Sequence, residues 1–300
     1  MVLISNNIKK FFFFLVLKMI PLQYRIKLQK KWGSKISDED LGELLNSYTI
    51  NEVEQNTILN VEQRTDAWFQ YRKNRVTASN FSAANKNNPY CSRRKLIQRI
   101  LYPEPISNPA CEWGTRHEKD AVDVFTQYLH THIDEDAKIT FPGLIVSLQY
   151  PFLGVSPDGL VSHVNASGER VLFGLEIKCP FRKKIYPSIP RYYYDQIQGT
   201  MGLLGLKYYY FVVWTPSETR IELFQFDEHY FQTILLPNLL DFFYVHLVPE
   251  IILKHKKEQN NEQKNEQATA GKSDVENDTR TPSFVNWWLD TQLIEETESP

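Results

Sequence analysis

The chain of 300 residues has only three cysteines, and their spacing suits neither a cross-link nor a metal finger. Cys91, Cys111 and Cys179 are an odd number and form no CxxC pair. Disulfide-stabilised secreted domains and zinc knuckles both depend on paired cysteines at short, regular spacings. The sequence therefore indicates neither of them, and we expect a reducing, intracellular compartment.

Long hydrophobic runs are also lacking. Phe11–Leu17 is an apolar run of seven residues that Lys18 interrupts. A helix that crosses a bilayer needs about 18–20 apolar residues, and no small-x-small cleavage site follows the run. We predict no membrane span here. A targeting role and packing of this segment against the domain both stay open.

Three common ligand-binding signatures are absent, namely the GxGxxG fingerprint, the Walker A loop and the GxSxG elbow. The net charge is only −2, but it is unevenly distributed. Residues 62–215 carry 19 Lys and Arg against 14 Asp and Glu, whereas residues 254–300 carry 6 against 10. A mildly basic centre permits nucleic-acid binding through a local patch without requiring it.

The hydrophobic pattern predicts helices and strands in the order of an α/β (α+β) domain. Apolar residues at helical spacing indicate helices, and segments rich in Val, Ile and Phe between Pro, Gly and Ser indicate strands. Helices are predicted at 111–129, 192–204 and 228–253, and strands at 139–148, 152–155, 160–164, 171–178, 208–215 and 220–226. This order predicts a central mixed β-sheet flanked by helices.

Composition divides the chain into four parts. Residues 1–61 are predicted to be a helical lead-in and residues 62–253 the main domain. Residues 254–282 are rich in Lys, Glu, Gln, Asn and Thr, cannot bury a core, and are expected to be disordered. Residues 283–300 complete an acidic tail and contain Trp287-Trp288. These aromatics either dock a protein partner or fold back on the domain.

Two acids and a lysine form the strongest candidate for a chemical site. Asp158 lies between a Pro and a Gly at a predicted turn, and Glu176 and Lys178 lie two apart on an apolar strand. Because strand side chains alternate faces, Glu176 and Lys178 point the same way. Buried charges cost several kcal/mol each unless they are paired or bind metal. A metal site explains all three positions, whereas any one of them alone is usually a turn or a surface charge pair.

The surroundings of these residues resemble the lambda exonuclease / YqaJ viral recombinase family of the PD-(D/E)XK nuclease superfamily. The matching blocks, in order, are Trp68-Phe-Gln-Tyr-Arg72-Lys-Asn-Arg-Val-Thr-Ala-Ser79, Trp113-Gly-Thr-Arg-His-Glu118, Ser156-Pro-Asp158-Gly-Leu160, Glu176-Ile-Lys178-Cys-Pro-Phe181 and Tyr194-Asp-Gln196-Ile-Gln198. The resemblance implies a restriction-endonuclease-like core. It covers about half of the chain.

The resemblance also implies a role for each matched position. Asp158 and Glu176, with the backbone carbonyl of Ile177, would bind Mg²⁺, or Mn²⁺ in its place. Lys178 would position the attacking water and help to deprotonate it, and Gln196 would orient the water or the scissile phosphate. Glu118 would be a further acid at the site, directly or through water, or at a second metal. Arg72 and Ser79 match positions that hold a terminal 5′-phosphate.

Further cations are candidate DNA contacts. Arg75 replaces a glycine that the family often has, and would add a phosphate contact or alter the end-binding pocket. The segment after the Glu-x-Lys strand carries Arg182, Lys183, Lys184 and Arg191 beside three tyrosines. Cations and aromatics together grip backbone phosphates and stack on unpaired bases. The alternative is a solvated loop with tyrosines packed beneath it.

The sequence thus predicts a Mg²⁺-dependent deoxyribonuclease, a 5′→3′ exonuclease on double-stranded DNA in recombination or repair. A structure-selective endonuclease on the same core is an alternative, and so is a non-catalytic DNA-binding or scaffold protein. The phage enzyme is a trimer, so the resemblance allows a homo-oligomer. A nucleus or another reducing compartment that holds DNA fits this prediction.

Overall fold

The computed structural model describes residues 20–104, 108–164, 167–182 and 184–270. Among them, the residues up to His255 form one compact unit, and those from Lys256 belong to a second. The predicted aromatic segment around Trp287-Trp288 lies outside the described residues, and so does the apolar run Phe11–Leu17.

The N-terminal region is helical, as predicted, over its described part. Its helices are α1 (Leu22–Trp32), α2 (Asp38–Asn46) and α3 (Glu52–Leu59). Helices α2 and α3 begin with capping boxes, in which Ser37 and Asn51 exchange hydrogen bonds with Asp40 and Glu54. Tyr24, Leu28 and Tyr48 belong to the same buried cluster as Phe243. The lead-in is therefore part of the main core.

The next region carries short elements that precede the large sheet. They are α4 (Asp66–Arg72), β1 (Val76–Thr77), a 3₁₀ turn at Ala78–Asn80, α5 (Phe81–Ala84), α6 (Arg93–Leu101) and α7 (Pro109–His132). The side chains of Thr65, Ser92 and Asn108 cap α4, α6 and α7 at their N-termini. Pro109 occupies the first turn of α7, where a missing N–H costs nothing.

Eight strands form two sheets in the described residues. The remaining strands are β2 (Lys138–Thr140), β3 (Ile145–Val146), β4 (Leu153–Val155), β5 (Gly159–Val164), β6 (Arg170–Lys178), β7 (Tyr208–Trp214) and β8 (Thr219–Gln225). The larger sheet has the order β2-β5-β6-β7-β8, and the smaller has the order β1-β4-β3. In the larger sheet only β6 and β7 run parallel.

The single strand predicted at 139–148 is wrong. The segment forms β2 and β3, which belong to different sheets. Pro142-Gly143 separates them, and the Gly143 N–H donates to the carbonyl of Leu59 at 2.7 Å. Proline has no N–H for a ladder, and a Cβ on Gly143 would lie 2.1 Å from the Val61 carbonyl oxygen. The chain therefore turns against α3 here instead of continuing the strand.

Helices cover both faces of the large sheet. Ala121, Phe125 and Leu129 of α7 pack with Leu175 and Ile177 of β6. On the other face, Ile197 and Met201 of α8 (Arg191–Leu204) pack with Tyr209, Phe211 and Val213 of β7. The predicted mixed sheet flanked by helices is confirmed. The order α7, antiparallel strands, crossover helix α8 and parallel β7 follows the order of helices and strands predicted from the sequence.

A long C-terminal helix completes the described chain. It comprises α9 (Glu228–Tyr230), α10 (Leu236–Asp241) and α11 (Val248–Ala270), joined by π-helical turns at Phe231–Leu235 and Phe242–Leu247. The stretch Glu228–Lys264 is long and apolar enough to cross a membrane, but 67% of its most apolar window is buried inside the protein. This is the pattern of a core helix, so it supports a membrane span only weakly.

The disorder predicted for residues 254–282 is wrong for residues 254–270, which continue α11. Lys, Glu and Gln are good helix formers, and extending an existing helix requires no new nucleation. A segment too polar to fold by itself can thus remain helical when a buried helix leads into it. Residues 271–282 lie outside the described residues.

Candidate active site

Strand β6 places Glu176 and Lys178 on the face that α8 covers. Their neighbours Leu175 and Ile177 point to the opposite face and pack under α7. The Glu176 side chain is only 3% exposed, and its Oε1 accepts a short hydrogen bond from Lys178 Nζ. The predicted alternation is therefore confirmed, and it leaves a buried carboxylate paired with one ammonium in the middle of the sheet.

Asp158 is joined to the same strand by two hydrogen bonds. Its backbone N–H donates to the Leu175 carbonyl at 3.0 Å, and its Oδ2 accepts from the Ile177 N–H at 2.7 Å. The first bond fixes the turn before β5, and the second fixes the carboxylate beside Glu176. Burial and repulsion from Glu176 and Glu118 raise the pKa of Asp158. The site thus concentrates negative charge at one place.

Lys178 compensates part of this charge. Burial disfavours its charged form, but Glu176 and Asp158 outweigh that effect and raise the pKa of the ammonium. Lys178 Nζ also lies 4.9 Å from the centre of the Tyr193 ring on α8. The lysine therefore holds its proton at neutral pH and is positioned by a carboxylate and an aromatic face.

Gln196 reaches Glu176 from α8. Its Nε2 donates to Glu176 Oε1 at 2.7 Å, so one carboxylate oxygen receives hydrogen bonds from both Lys178 and Gln196. Gln196, which the resemblance assigned to the site, therefore contacts Glu176 directly. Two donors on one oxygen fix the orientation of the carboxylate.

Glu118 approaches from the opposite side, on α7. Its Oε2 forms a short ion pair with Arg64 Nη2, and the two side chains are 32% and 49% exposed. The Glu118 charge contributes to raising the pKa of both Asp158 and Cys179. Glu118 is therefore near the two carboxylates of the sheet, while Arg64 engages it at the surface.

Arg72 forms a small cationic pocket next to this site. Its guanidinium lies 4.0 Å from the centre of the Trp68 ring, one helical turn earlier on α4. Arg72 Nη1 and Trp68 Nε1 both donate to Ser156 Oγ, at 3.4 and 3.2 Å. Arg72 Nη2 donates to Thr77 Oγ1 at 3.1 Å. Because Ser156 is two residues before Asp158, the pocket adjoins the carboxylates.

The sequence that carries these contacts is similar to a known family. Residues 67–207, just under half of the chain, match the YqaJ-like viral recombinase domain. Arg72, Ser156, Asp158, Glu176, Lys178 and Gln196 all lie within the matched residues.

Individual proteins are also similar to this chain. A protein of African swine fever virus is 30% identical over 162 residues, which are 47% of this chain and 46% of the viral protein. The chain thus spans about half the length of the viral relatives it matches. The crystal structure of the alkaline exonuclease LHK-Exo from Laribacter hongkongensis is similar with a TM-score of 0.49 and 23% identity, covering 66% of this chain and 99% of LHK-Exo. Its complex with dAMP gives the same TM-score at 26% identity, covering 65% and 99%.

The other residues predicted to bind DNA or a terminal phosphate lie in different surroundings. Ser79 is exposed on the 3₁₀ turn, two residues after Thr77. Arg182 and Lys184 are exposed in the segment between β6 and α8, and Lys183 lies outside the described residues. Arg191 begins α8, where its guanidinium stacks 4.8 Å from the Tyr230 ring and its Nε lies 4.0 Å from Asp195 Oδ1.

Arg75 has a structural environment. Its Nε and Nη1 donate to the carbonyls of Pro151 and Tyr71 at 3.0 and 2.6 Å, and its guanidinium lies 5.8 Å from the Tyr48 ring. Burial lowers the pKa of Arg75. These bonds tie the end of α4 to the segment before β4, so a phosphate contact through Arg75 stays a prediction.

The donor set of the candidate active site fits a hard divalent cation. Asp158 and Glu176 offer carboxylate oxygens in a buried, charge-crowded place, and a cation there would relieve their repulsion. In the part of the chain that the structure describes, no three His, Cys, Asp or Glu side chains are arranged to hold a metal ion. Two carboxylates, the Ile177 carbonyl and water would therefore share the coordination, as suits Mg²⁺, which usually retains several waters.

Two residues of the site, Ser156 and Arg64, were not predicted from the sequence. Ser156 accepts hydrogen bonds from Trp68 and Arg72. Its position two residues before Asp158, in a block that resembles the family, could have indicated it. Arg64 lies outside the matched residues, and nothing in its local pattern indicates a pair with Glu118, which is 54 positions away. Pairs of this kind arise from the tertiary fold alone.

Proposed function

We propose that this protein is a metal-dependent deoxyribonuclease that degrades double-stranded DNA from 5′ ends, in recombination or repair. The observation that carries the proposal is the convergence of Asp158, Glu176, Lys178 and Gln196 on one side of the central sheet. The match of residues 67–207 to the YqaJ-like viral recombinase domain supports a role in DNA recombination.

Each side chain has a role that its contacts suggest. Asp158 and Glu176 would hold Mg²⁺, or Mn²⁺, which polarises the phosphate and activates water when it is bound. Lys178 positions the attacking water and offsets the negative charge that develops on the phosphate. Gln196 keeps Glu176 oriented and extends its amide toward the water or the scissile phosphate. Glu118 supplies a further acid from α7.

The direction of degradation depends on the pocket around Arg72. A 5′-phosphate carries more negative charge than an internal phosphodiester, and a guanidinium recognises it with directed hydrogen bonds. The Trp68 ring and the Ser156 and Thr77 hydroxyls hold the Arg72 fork in place. Ser79, exposed nearby in sequence, would complete the pocket. A phosphate held there would place the next phosphodiester bond near Asp158.

The test is a time course on linear duplex DNA with 5′-phosphates. Mg²⁺-dependent shortening from the 5′ ends is expected, with none in EDTA and none with Glu176→Ala. Glu39→Ala, which removes an exposed acid from α2, should digest like the wild type. Cleavage of closed circular DNA would instead indicate an endonuclease. DNA binding without any digestion would identify a DNA-binding or scaffold protein.

Cell location and assembly belong to the same proposal. A DNA-degrading enzyme with three free thiols, of which Cys91 is buried, suits a nucleus or another reducing compartment that holds DNA. A homo-oligomer, and a protein partner at Trp287-Trp288, are further parts of the proposal. Chain mass in solution and capture by the isolated C-terminal peptide would test them separately.

A further inference from the structure

A row of four neighbouring aromatic rings, of which only His117 and Trp214 are stacked on each other, crosses the edge of the candidate active site. We call it the aromatic row, and it consists of Phe181, Trp113, His117 and Trp214. The centroid distances along it are 6.2, 3.9 and 5.3 Å. Trp113 and His117 are one turn apart on α7, and Trp214 ends β7. Phe181, at one end of the row, is 50% exposed.

The aromatic row is attached to the catalytic strand. Cys179 Sγ donates to the His117 carbonyl at 3.4 Å, which links α7 to the residue directly after Lys178. Trp214 follows Val213, the register partner of Lys178 in the parallel pair of β6 and β7. His117 also precedes Glu118, the acid on α7. The rings therefore lie where the two central strands end beside the site.

The chemistry of this edge suits a nucleobase. A half-exposed ring offers a flat, apolar surface, and Arg182, next to Phe181, is exposed beside it. Arg116, between Trp113 and His117 in sequence, is also exposed. Aromatic faces that accept bases, with cations for the phosphates, are how proteins bind unpaired strands. Bases within a duplex have their faces covered by neighbours, so this surface suits an unpaired base.

Chain length limits which base can reach the surface. Phe181 is three residues after Lys178, so their Cα atoms are at most about 10 Å apart. Stacked nucleotides follow one another at about 3.4 Å along a strand. A base on Phe181 is therefore within about three nucleotides of a phosphate at Lys178.

We propose that Phe181 and Trp113 form a stacking subsite for an unpaired base of the strand that is cut, within about three nucleotides of the scissile phosphate. The inference rests on the proposed nuclease function. His117 and Trp214 support the two rings from behind.

Photochemical cross-linking tests the subsite directly. The Glu176→Gln protein is used so that the DNA stays intact, with 5′-phosphorylated duplexes that carry 5-iodouracil at one of the first four positions. Ultraviolet cross-linking followed by peptide mass spectrometry is expected to modify Phe181 or Trp113 from at least one of these positions. Adducts found only at other residues would overturn the subsite.

Binding measurements supply the second arm. In the Glu176→Gln protein, the further change Phe181→Leu is expected to weaken DNA binding about tenfold, as for the loss of one stacked base. The DNA is a duplex whose terminal bases are mismatched and therefore unpaired. Tyr102→Leu removes an exposed ring at the end of α6 and should leave binding unchanged. Phe181 is exposed, so its replacement should not alter the melting temperature.

The possible failures are distinguishable. If DNA binds and Phe181→Leu binds equally well, the subsite is wrong and the nuclease proposal stands. If the Glu176→Gln protein binds no DNA and the wild type digests none, the proposed function is wrong and the subsite falls with it.

Discussion

Gln196 donates a hydrogen bond from helix α8 to Oε1 of the buried Glu176 at 2.7 Å. The same oxygen accepts a hydrogen bond from Lys178 Nζ, so Oε1 is bonded to two protein donors. The neighbouring Asp158 carboxylate is fixed by the hydrogen bond from the Ile177 N–H. This arrangement makes α8 part of the site's geometry as well as a cover for the sheet.

Removing this contact should reduce catalysis more than it reduces stability. Gln196→Ala is expected to lower kcat about 10- to 100-fold, because partners that orient metal ligands usually contribute that much. Initial rates on 5′-phosphorylated duplex DNA over a range of Mg²⁺ concentrations would measure it. Gln127→Ala, at an exposed position of α7, is the matched control and should keep the wild-type rate. A wild-type rate for Gln196→Ala would remove Gln196 from the site.

The relation between β6 and its environment was largely predictable. The nine residues of β6 contain Val, Leu, Phe and Ile before and between Glu176 and Lys178, and this pattern predicts a central strand. The alternation of faces then places the two charged residues together. Asp158 was predictable only as a turn residue, because its two bonds to Leu175 and Ile177 depend on the pairing of β5 with β6.

Other features depended on tertiary contacts that no local pattern carries. The pattern of α1 and α2 indicated helices, but it did not say that Tyr24 and Leu41 would join the core of the C-terminal helix. The composition of residues 254–270 indicated disorder, although a helix was already in place to extend. The position of Arg75 in the sequence predicted a DNA contact. In the fold, its guanidinium donates to two backbone carbonyls, which is a structural role.

Gly174 should be intolerant of substitution. It is the register partner of Tyr209, and a Cβ at this position would lie 2.0 Å from the tyrosine ring, which is fully buried. Gly174→Ala is therefore expected to destabilise the protein by at least about 1–3 kcal/mol, the range for overpacked cores. Urea unfolding followed by circular dichroism would measure it.

A control variant and a double variant test whether the Gly174→Ala effect comes from the clash with Tyr209. A Cβ on Gly114, in α7, would meet no atom within 4 Å, so Gly114→Ala should stabilise by roughly 0.5–1 kcal/mol. Combining Gly174→Ala with Tyr209→Leu should cost less than the sum of the single changes, because they share one clash. Strict additivity would contradict the clash.

Arg72 and Arg75 should behave differently although both are partly buried cations on one short segment. Arg72→Lys keeps the charge and loses the fork that donates to Ser156 and Thr77. It is expected to reduce the preference for 5′-phosphorylated over 5′-hydroxyl ends about tenfold or more. Arg75→Lys should leave that ratio unchanged and lower the melting temperature, because its bonds go to backbone carbonyls. Equal loss on both ends with Arg72→Lys would indicate a general role in folding or DNA binding.

His246 should make the fold less stable in mild acid. Lys31 Nζ lies 3.0 Å from His246 Nδ1, and a lysine ammonium can only donate, so Nδ1 is the acceptor of a neutral ring. Its Nε2 lies 3.7 Å from Asp241 Oδ2. Burial, Lys31 and Arg93 lower the pKa of His246 to about 4, although Asp241 opposes the change and Lys86 adds to it. An unfolded histidine titrates near 6.5.

The sign of the effect follows from proton uptake. Between about pH 6.5 and pH 4 the unfolded chain binds a proton at His246 that the folded chain does not, so unfolding is favoured as the pH falls. Stability from this residue is complete above about pH 6.5 and is lost progressively toward pH 4. Melting temperatures of the wild type and of His246→Gln between pH 4 and 8 would measure it, and the variant should lose less stability over this range. Burial raises the pKa of Asp241, but Lys27 and Arg93 outweigh it and lower the pKa. Asp241 therefore affects stability only at a pH below this range, and it does so in both proteins. If the melting temperatures of the two proteins fall equally with pH, groups other than His246 determine the acid sensitivity.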